Sequence, residues 1–389
     1  MLCRVFFCVS LTASIAHSLA APVVKRNPQD RGNVFKSVWN NVEQPDLTDV
    51  FATYSTGCNS GTNVNTKSPE GTIYPTKSTQ DAPYSLPETQ LREVIYIPST
   101  FTYGRTPPLV MVPGTGSAGC LSFGSNFIKQ FTGSSFADPV WLNIPDLVLR
   151  DAQVNAEYVA YALNYISSIS GNRNVSVMAW SQGNLDTQWA LKYWPSTRSI
   201  VNDFVSISPD FHGTTLAYIA CPKFPKVPCP PAVLQQEYGS NFITRLRMND
   251  GGSAYVPTTS IYSSTDEVVQ PMAGRGASAY ILDARKVGVS NNQIQTVCNG
   301  KAAGVFATHE SVLCHPLTYA LAVDALTHPG AGRPSRLDLD KICDTLVGPG
   351  LSADDVIATE SNIPISGAAI ELYGNKVAKE PALKAYATY

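Results

Sequence analysis

The strongest local sign of chemistry is a serine at a strand–helix junction. Ala179-Trp180-Ser181-Gln182-Gly183 follows the apolar run 175–179 and precedes a helical pattern from Gly183 to Trp194. This is a G-x-S-x-G nucleophile elbow with alanine in the first glycine position, where a sharp turn presents the serine hydroxyl. Small residues two before and two after the serine keep side chains out of the crossing of strand, turn and helix. The same segment, read alone, also fits an ordinary N-cap serine. A serine hydroxyl needs a base, and the base needs an orienting acid, in the order Ser, Asp or Glu, His along the chain. Asp266 stands on a loop after the strand-like run 259–262, while Asp210, after 204–208, competes for the same role. His309 lies in a loop between Gly304 and a helix expected from Ser311. His315 and His328 fall on helix or helix-end positions, and His212 comes before Asp266.

Ester chemistry on serine passes through an oxyanion, and each preorganised donor to it is worth on the order of 10² to 10³ in rate. The backbone N–H of Gln182 is one donor. The loop Pro113-Gly114-Thr115-Gly116, after the apolar run 109–112, supplies another, with the Thr115 hydroxyl as a possible third. The same loop carries a rival reading. Residues 114–119 match G-x-G-x-x-G, the fingerprint of an NAD-dependent oxidoreductase. That reading lacks its acidic partner, since the strand end near Asn143 offers no aspartate until Asp146, beyond Pro145. A catalytically inactive binding protein on a hydrolase scaffold is a further alternative, opposed by the intact serine, aspartate and histidine.

These residues need a scaffold that brings distant loops to one edge. Short apolar runs at 94–97, 109–112, 140–144, 175–179, 204–208 and 259–262 alternate with helical patterns at 121–131, 153–169, 183–194 and 311–326. Such alternation predicts an α/β fold, a mainly parallel sheet covered by helices on both faces, with its chemistry beyond the carboxyl ends of the strands. Residues 91–345 are expected to form this catalytic domain. Residues 27–90 read as an extended arm and 346–389 as an extension packed on the same domain. Arg4, the apolar run 5–15 and Ser18-Leu19-Ala20 have the parts of a secretory signal peptide over 1–20. Lys25-Arg26 closes a possible propeptide over 21–26.

A secreted, extracellular protein is therefore expected, with no later segment suited to spanning a membrane. Charged residues make up 15% of the chain and the net charge is −2, which favours neither nucleic acid nor an anionic membrane surface. No cofactor is called for, and no His or Cys spacing suggests a metal. A monomer is the simplest expectation. Seven cysteines remain after Cys3 and Cys8 leave with the signal peptide, so one thiol stays free. Cys221 and Cys229 bracket a proline-rich stretch, which points to a lid over 217–233 clipped by a short disulfide. Asn174-Val175-Ser176 is the glycosylation acceptor.

The chain resembles the fungal lipase B family along 109–116, 179–183, 256–259 and 262–271, and the likeness runs from about 107 to 345. It implies an α/β-hydrolase acting on ester or lipid substrates, with a lipid–water interface as a possible partner. Carried over by position, it implies Ser181 as nucleophile, Asp266 as acid, His309 as base, and Thr115 with Gln182 as the oxyanion hole. Asp210 then matches an aspartate near the acyl side of the pocket, Trp180 one boundary of the alcohol side, and Val268 a substrate-binding position. It also implies a Cys298–Cys343 disulfide. Cys58 with Cys120 is a looser pairing, which leaves Cys314 free. Thr308 stands where the family has aspartate before the histidine, and Val140 where it has a half-cystine. No cysteine follows Cys343 to form a C-terminal cystine.

Overall fold

The computed structural model describes residues 57–222 and 227–388 of the 389-residue chain. The expected signal peptide, the propeptide, residues 27–56 of the arm, and Phe224 and Pro225 of the lid stretch lie outside the described residues.

Seven strands form one sheet: β1 (Ile95–Tyr96), β2 (Pro108–Val112), β3 (Asp138–Leu142), β4 (Val175–Trp180), β5 (Val201–Ile207), β6 (Thr258–Tyr262) and β7 (Val289–Gln293). Their order is β1-β3-β2-β4-β5-β6-β7. Only the β1–β3 pair is antiparallel. The runs are apolar on both sides because both faces are covered. Val110, Val112, Val177 and Ala179 belong to one core cluster with α1 (Ala152–Ile169) and α2 (Gly183–Tyr193). Their neighbours Leu109, Met111, Met178 and Trp180 belong to the opposite cluster. That cluster holds α3 (Pro316–Thr327) and the short helices Gly119–Phe123 and Phe127–Phe131. The two-residue period of a strand sorts the side chains.

Helix α1 is buried nearly all round. The chain from 57 to 93 covers the side away from the sheet: Glu157 accepts hydrogen bonds from Ser85, and Tyr165 Oη donates to the Lys67 carbonyl. Each aliphatic side chain it buries, Val159, Leu163 and Ile166 among them, contributes about 1.5–3 kcal/mol.

Three differences from the sequence reading have local causes. The helix expected over 121–131 is two short ones, separated by residues 124–126. The helix expected over 311–326 starts as the 3₁₀ turn Ser311–Cys314 and restarts at Pro316 as α3. Proline there forgoes only an N–H that a first turn leaves unpaired anyway, and His315 Nδ1 accepts the Leu317 N–H at 3.2 Å. Strand β7 was not anticipated, because its sequence Val-Ser-Asn-Asn-Gln is mostly polar. It holds the sheet edge by pairing with β6, aided by Asn292 Nδ2 donating to the Ser260 carbonyl at 3.1 Å. Beyond 346 the chain folds into α4 (Ala353–Glu360) and α5 (Asn362–Leu372). Among the described residues no helix is long and apolar enough to cross a membrane.

Candidate active site

Ser181 directly follows β4, with φ at +54°, and is 6% exposed. A non-glycine residue held in the left-handed region is strained and persists only where its surroundings fix it. They do so here. The Ser181 N–H donates to the Ile207 carbonyl at 3.1 Å. Asn184 Nδ2 then donates to both the Ser181 and Ile207 carbonyls, at 2.9 and 3.0 Å, while its Oδ1 accepts from Ser206 Oγ at 2.6 Å. A Cβ on Gly183 would lie 2.6 Å from the Val112 and Pro113 carbonyl oxygens, so α2 approaches β2 this closely only through glycine.

Asp266 and His309 are both buried, and His309 Nδ1 lies 2.7 Å from Asp266 Oδ2. Asp266 Oδ1 accepts the Val268 and Val269 N–H groups at 2.9 and 2.7 Å, so backbone and imidazole share the carboxylate. The His309 loop is anchored to the elbow: its carbonyl accepts from Trp180 Nε1 at 3.3 Å and from Ser208 Oγ at 2.9 Å. Its N–H donates to Glu267 at 3.1 Å. Among the described residues, His309 Nε2 has no hydrogen-bond partner. Burial works against the imidazolium, yet the charge and hydrogen bond of Asp266, with Glu267 and Asp210 beyond, outweigh it and raise the His309 pKa above its ordinary value.

Beyond β2, a Cβ on Gly114 would meet Trp180 and Ser181 at 2.8 and 2.9 Å, so glycine lets this loop pass over the elbow. Among the described residues, the backbone N–H groups of Thr115 and Gln182 meet no protein acceptor. The Thr115 hydroxyl does: it donates toward Gln182 Oε1 at 2.8 Å or Gln236 Oε1 at 3.0 Å, and Gln236 Nε2 donates to Gln182 Oε1 at 2.9 Å. Its single proton is thus engaged within this side-chain network. The dinucleotide reading loses its phosphate cradle here. Gly116 N–H donates to the Leu147 carbonyl at 2.9 Å, Ser117 N–H to the Gly114 carbonyl at 3.2 Å and Gly119 N–H to Asn143 Oδ1 at 3.0 Å.

No protein-family model matches the chain. Lipase B of Pseudozyma antarctica is 33% identical over 313 residues, which cover 80% of this chain and 87% of that one. The chain belongs to the lipase B family. The crystal structure of Aspergillus fumigatus lipase B superposes with a TM-score of 0.83 at 51% identity, covering 88% of this chain and 81% of that one. The protein is a carboxylic ester hydrolase with the α/β-hydrolase fold.

Within this lipase B scaffold, the departures noted in the sequence acquire local explanations. Val140 leaves no half-cystine in β3, and Cys120 instead pairs with Cys58. Cys221–Cys229 and Cys298–Cys343 are the other disulfides, and Cys314 is a buried free thiol. Thr308 accepts the Ser311 N–H at 3.1 Å and donates toward Glu360 of α4 at 3.4 Å, so the loop before His309 is tied without an aspartate. Near the chain end, Tyr386 Oη accepts from Trp189 Nε1 at 3.2 Å, which anchors this segment without a cystine.

Of the positions around the substrate, Trp180 is buried with its ring centroid 5.3 Å from that of His309. Val268 is half-buried, and its carbonyl accepts from Thr214 Oγ1 at 2.9 Å. Asp210 is fully buried, and among the described residues neither carboxyl oxygen has a hydrogen-bond partner. Burial pushes its pKa up to about 7, only partly offset by the proximity of its own backbone N–H and of His309. It therefore competes poorly with Asp266 for the imidazole, to which it makes no hydrogen bond. Sequence reasoning missed Asn184, which holds the elbow, and Gln236, which meets the Thr115 hydroxyl. The one available signal for Gln236 was the pair Gln235-Gln236 ending an apolar helical run.

Proposed function

We propose that the chain is a secreted lipase or carboxylesterase working through an acyl-enzyme on Ser181, with lipid esters such as acylglycerols as substrates. The observation that carries this reading is the buried Asp266–His309 pair, with Nε2 left unpartnered, at the sheet edge that also presents Ser181. Nε2 takes the Ser181 proton as Oγ attacks the ester carbonyl. The resulting oxyanion rests on the Thr115 and Gln182 N–H groups. Collapse expels the alcohol, which receives its proton from the imidazolium. Water, deprotonated by the same nitrogen, then attacks the acyl-enzyme, and the carboxylic acid leaves with Ser181 regenerated. Asp266 holds the ring in place through Nδ1.

Three disulfides suit an oxidising compartment, in keeping with the signal-peptide pattern at the N-terminus. Exposed Ile219 and Val227 flank the Cys221–Cys229 disulfide, and exposed Val305 and Phe306 precede His309. Apolar side chains so near the site support work at a lipid–water interface. A fluorophosphonate should label Ser181 stoichiometrically, and p-nitrophenyl esters of rising chain length should be cleaved faster once an emulsion forms. Labelling elsewhere, or none, refutes the acyl-enzyme; equal rates with and without an interface refute the lipase reading and leave an esterase.

A further inference from the structure

Both halves of the oxyanion hole are tied to one strained turn. Asp146, Leu147 and Val148, just after β3, have φ of 56°, 53° and 65°, three consecutive non-glycine residues in the left-handed region. Side chains resist that conformation, and it is ordinarily adopted by single residues. The Leu147 carbonyl accepts the Gly116 N–H at 2.9 Å, next to Thr115. The Val148 carbonyl accepts Gln182 Nε2 at 3.1 Å and Asn155 Nδ2 at 2.9 Å. Two successive peptide oxygens thus reach the loop that carries one free N–H and the residue that carries the other. An unstrained turn would aim these oxygens elsewhere.

The surroundings hold the strain in place. Leu147 packs with Cys221, Cys229 and Val233 of the expected lid stretch and with Ala369 of α5. The Leu149 carbonyl accepts the Ala232 N–H at 3.2 Å, and Val148 is fully buried. Backbone strain of this kind clusters at functional sites.

We propose that Asp146, Leu147 and Val148 are positioning residues that set the spacing of the Thr115 and Gln182 N–H donors, their left-handed backbone being required for oxyanion stabilisation. The inference rests on the Ser181 acyl-enzyme reading.

Asp146 allows a clean test because it is exposed and, among the described residues, its side chain hydrogen-bonds only to Arg150, at 2.6 Å. Asp146→Gly and Asp146→Asn suit a left-handed backbone; Asp146→Val, β-branched, opposes it. Misplacing donors costs about tenfold to a hundredfold in rate. Asp146→Val should therefore lower kcat by about that factor with KM little changed, and weaken binding of an alkyl boronic acid, which forms a tetrahedral adduct on serine, by a similar factor. Asp146→Gly and Asp146→Asn, which also lose the ion pair, should match the parent in both. Asp146→Ala, less penalised than valine, should show a smaller loss and serves if valine prevents folding. Parent-like kcat and boronate affinity in the folded valine or alanine variant, whatever its melting temperature, overturns the proposal. A loss in the asparagine variant as large as in valine also overturns it, since the ion pair would then be responsible. Fluorophosphonate labelling of the parent separates the failures: without Ser181 labelling the underlying reading falls, while with it only the role of the turn is lost.

Discussion

The two sides of the proposed mechanism, the nucleophile Ser181 and the base His309, are held by different chemistry. Around Ser181 the supports are mostly neutral groups, Asn184, Gln182, Gln236, Thr115, Ser206 and backbone carbonyls; the carboxyl among them is Asp186, which accepts from Gln182 Nε2 at 3.4 Å and which burial holds well above the usual carboxylate range. Around His309 they are acidic: Asp266 on Nδ1, Glu267 on the backbone N–H, and Asp210 close enough to influence the imidazole. Neutral amides keep their hydrogen bonds at any moderate pH, so the elbow and oxyanion hole should be geometrically constant. Carboxylates change charge, so pH dependence should enter through the base.

The largest effects test whether the two sides act as one unit. Ser181→Ala and His309→Ala should each lower kcat by about 10⁶, with the double variant scarcely worse, as members of such a unit are non-additive. Additive losses in the double variant would separate the two sides. Asp266→Asn should lower kcat by about 10⁴ by disturbing the imidazole tautomer. The base form of His309 exists only above its pKa, so kcat/KM falls as pH drops through that value. Removing the Asp266 charge lowers this pKa and should move the acid limb to lower pH. If Asp210→Asn proves the more damaging change in a folded enzyme, the acid has been misassigned.

Asn184→Ala strikes the neutral side. It should lower kcat by about 10² and stability by about 1–3 kcal/mol through buried groups left unpaired, without moving the acid limb. A shifted limb would blur the contrast between the two sides.

Asp210→Asn should change stability in a pH-dependent way. Burial pushes the folded carboxyl up to about 7, whereas the unfolded one ionises near its ordinary value of 3.8. The parent therefore loses the Asp210 contribution as pH rises from about 4 to 7, a loss that the asparagine variant does not share. The melting-temperature difference between them should grow over that window and level off above it. A difference constant with pH would mean that Asp210 is ionised in the folded protein.

The smallest effect concerns the expected lid. Cys221→Ser with Cys229→Ser opens a clip of sequence separation 8, worth about 2–3 kcal/mol in the loop-entropy model. Altered chain-length preference or interface dependence is expected in the folded protein. A lower melting temperature with unchanged kinetics would leave the clip a purely stabilising device.

The apolar runs that became β2 to β6 were legible because strands covered on both faces must be apolar throughout. Ser181, Asp266 and the Gly114–Gly116 loop were legible because each directly follows such a strand, and a parallel sheet carries all these ends to one edge. β7 was not, since an edge strand can pair through a polar sequence. The choice of Asp266 over Asp210 could be ranked on chain position but not decided there. It depends on which carboxylate meets Nδ1, and that is a contact across 43 residues. The left-handed turn at 146–148 has no glycine or asparagine to announce it. Its conformation is imposed from outside, by the lid stretch, α5, Asn155 and Gln182, whose combined contacts override the local preference of three ordinary side chains. Sequence determined which residues could react and along which edge they lie. Tertiary packing decided their partners, their protonation and the direction in which the donors point, because those depend on groups brought together only when the chain closes.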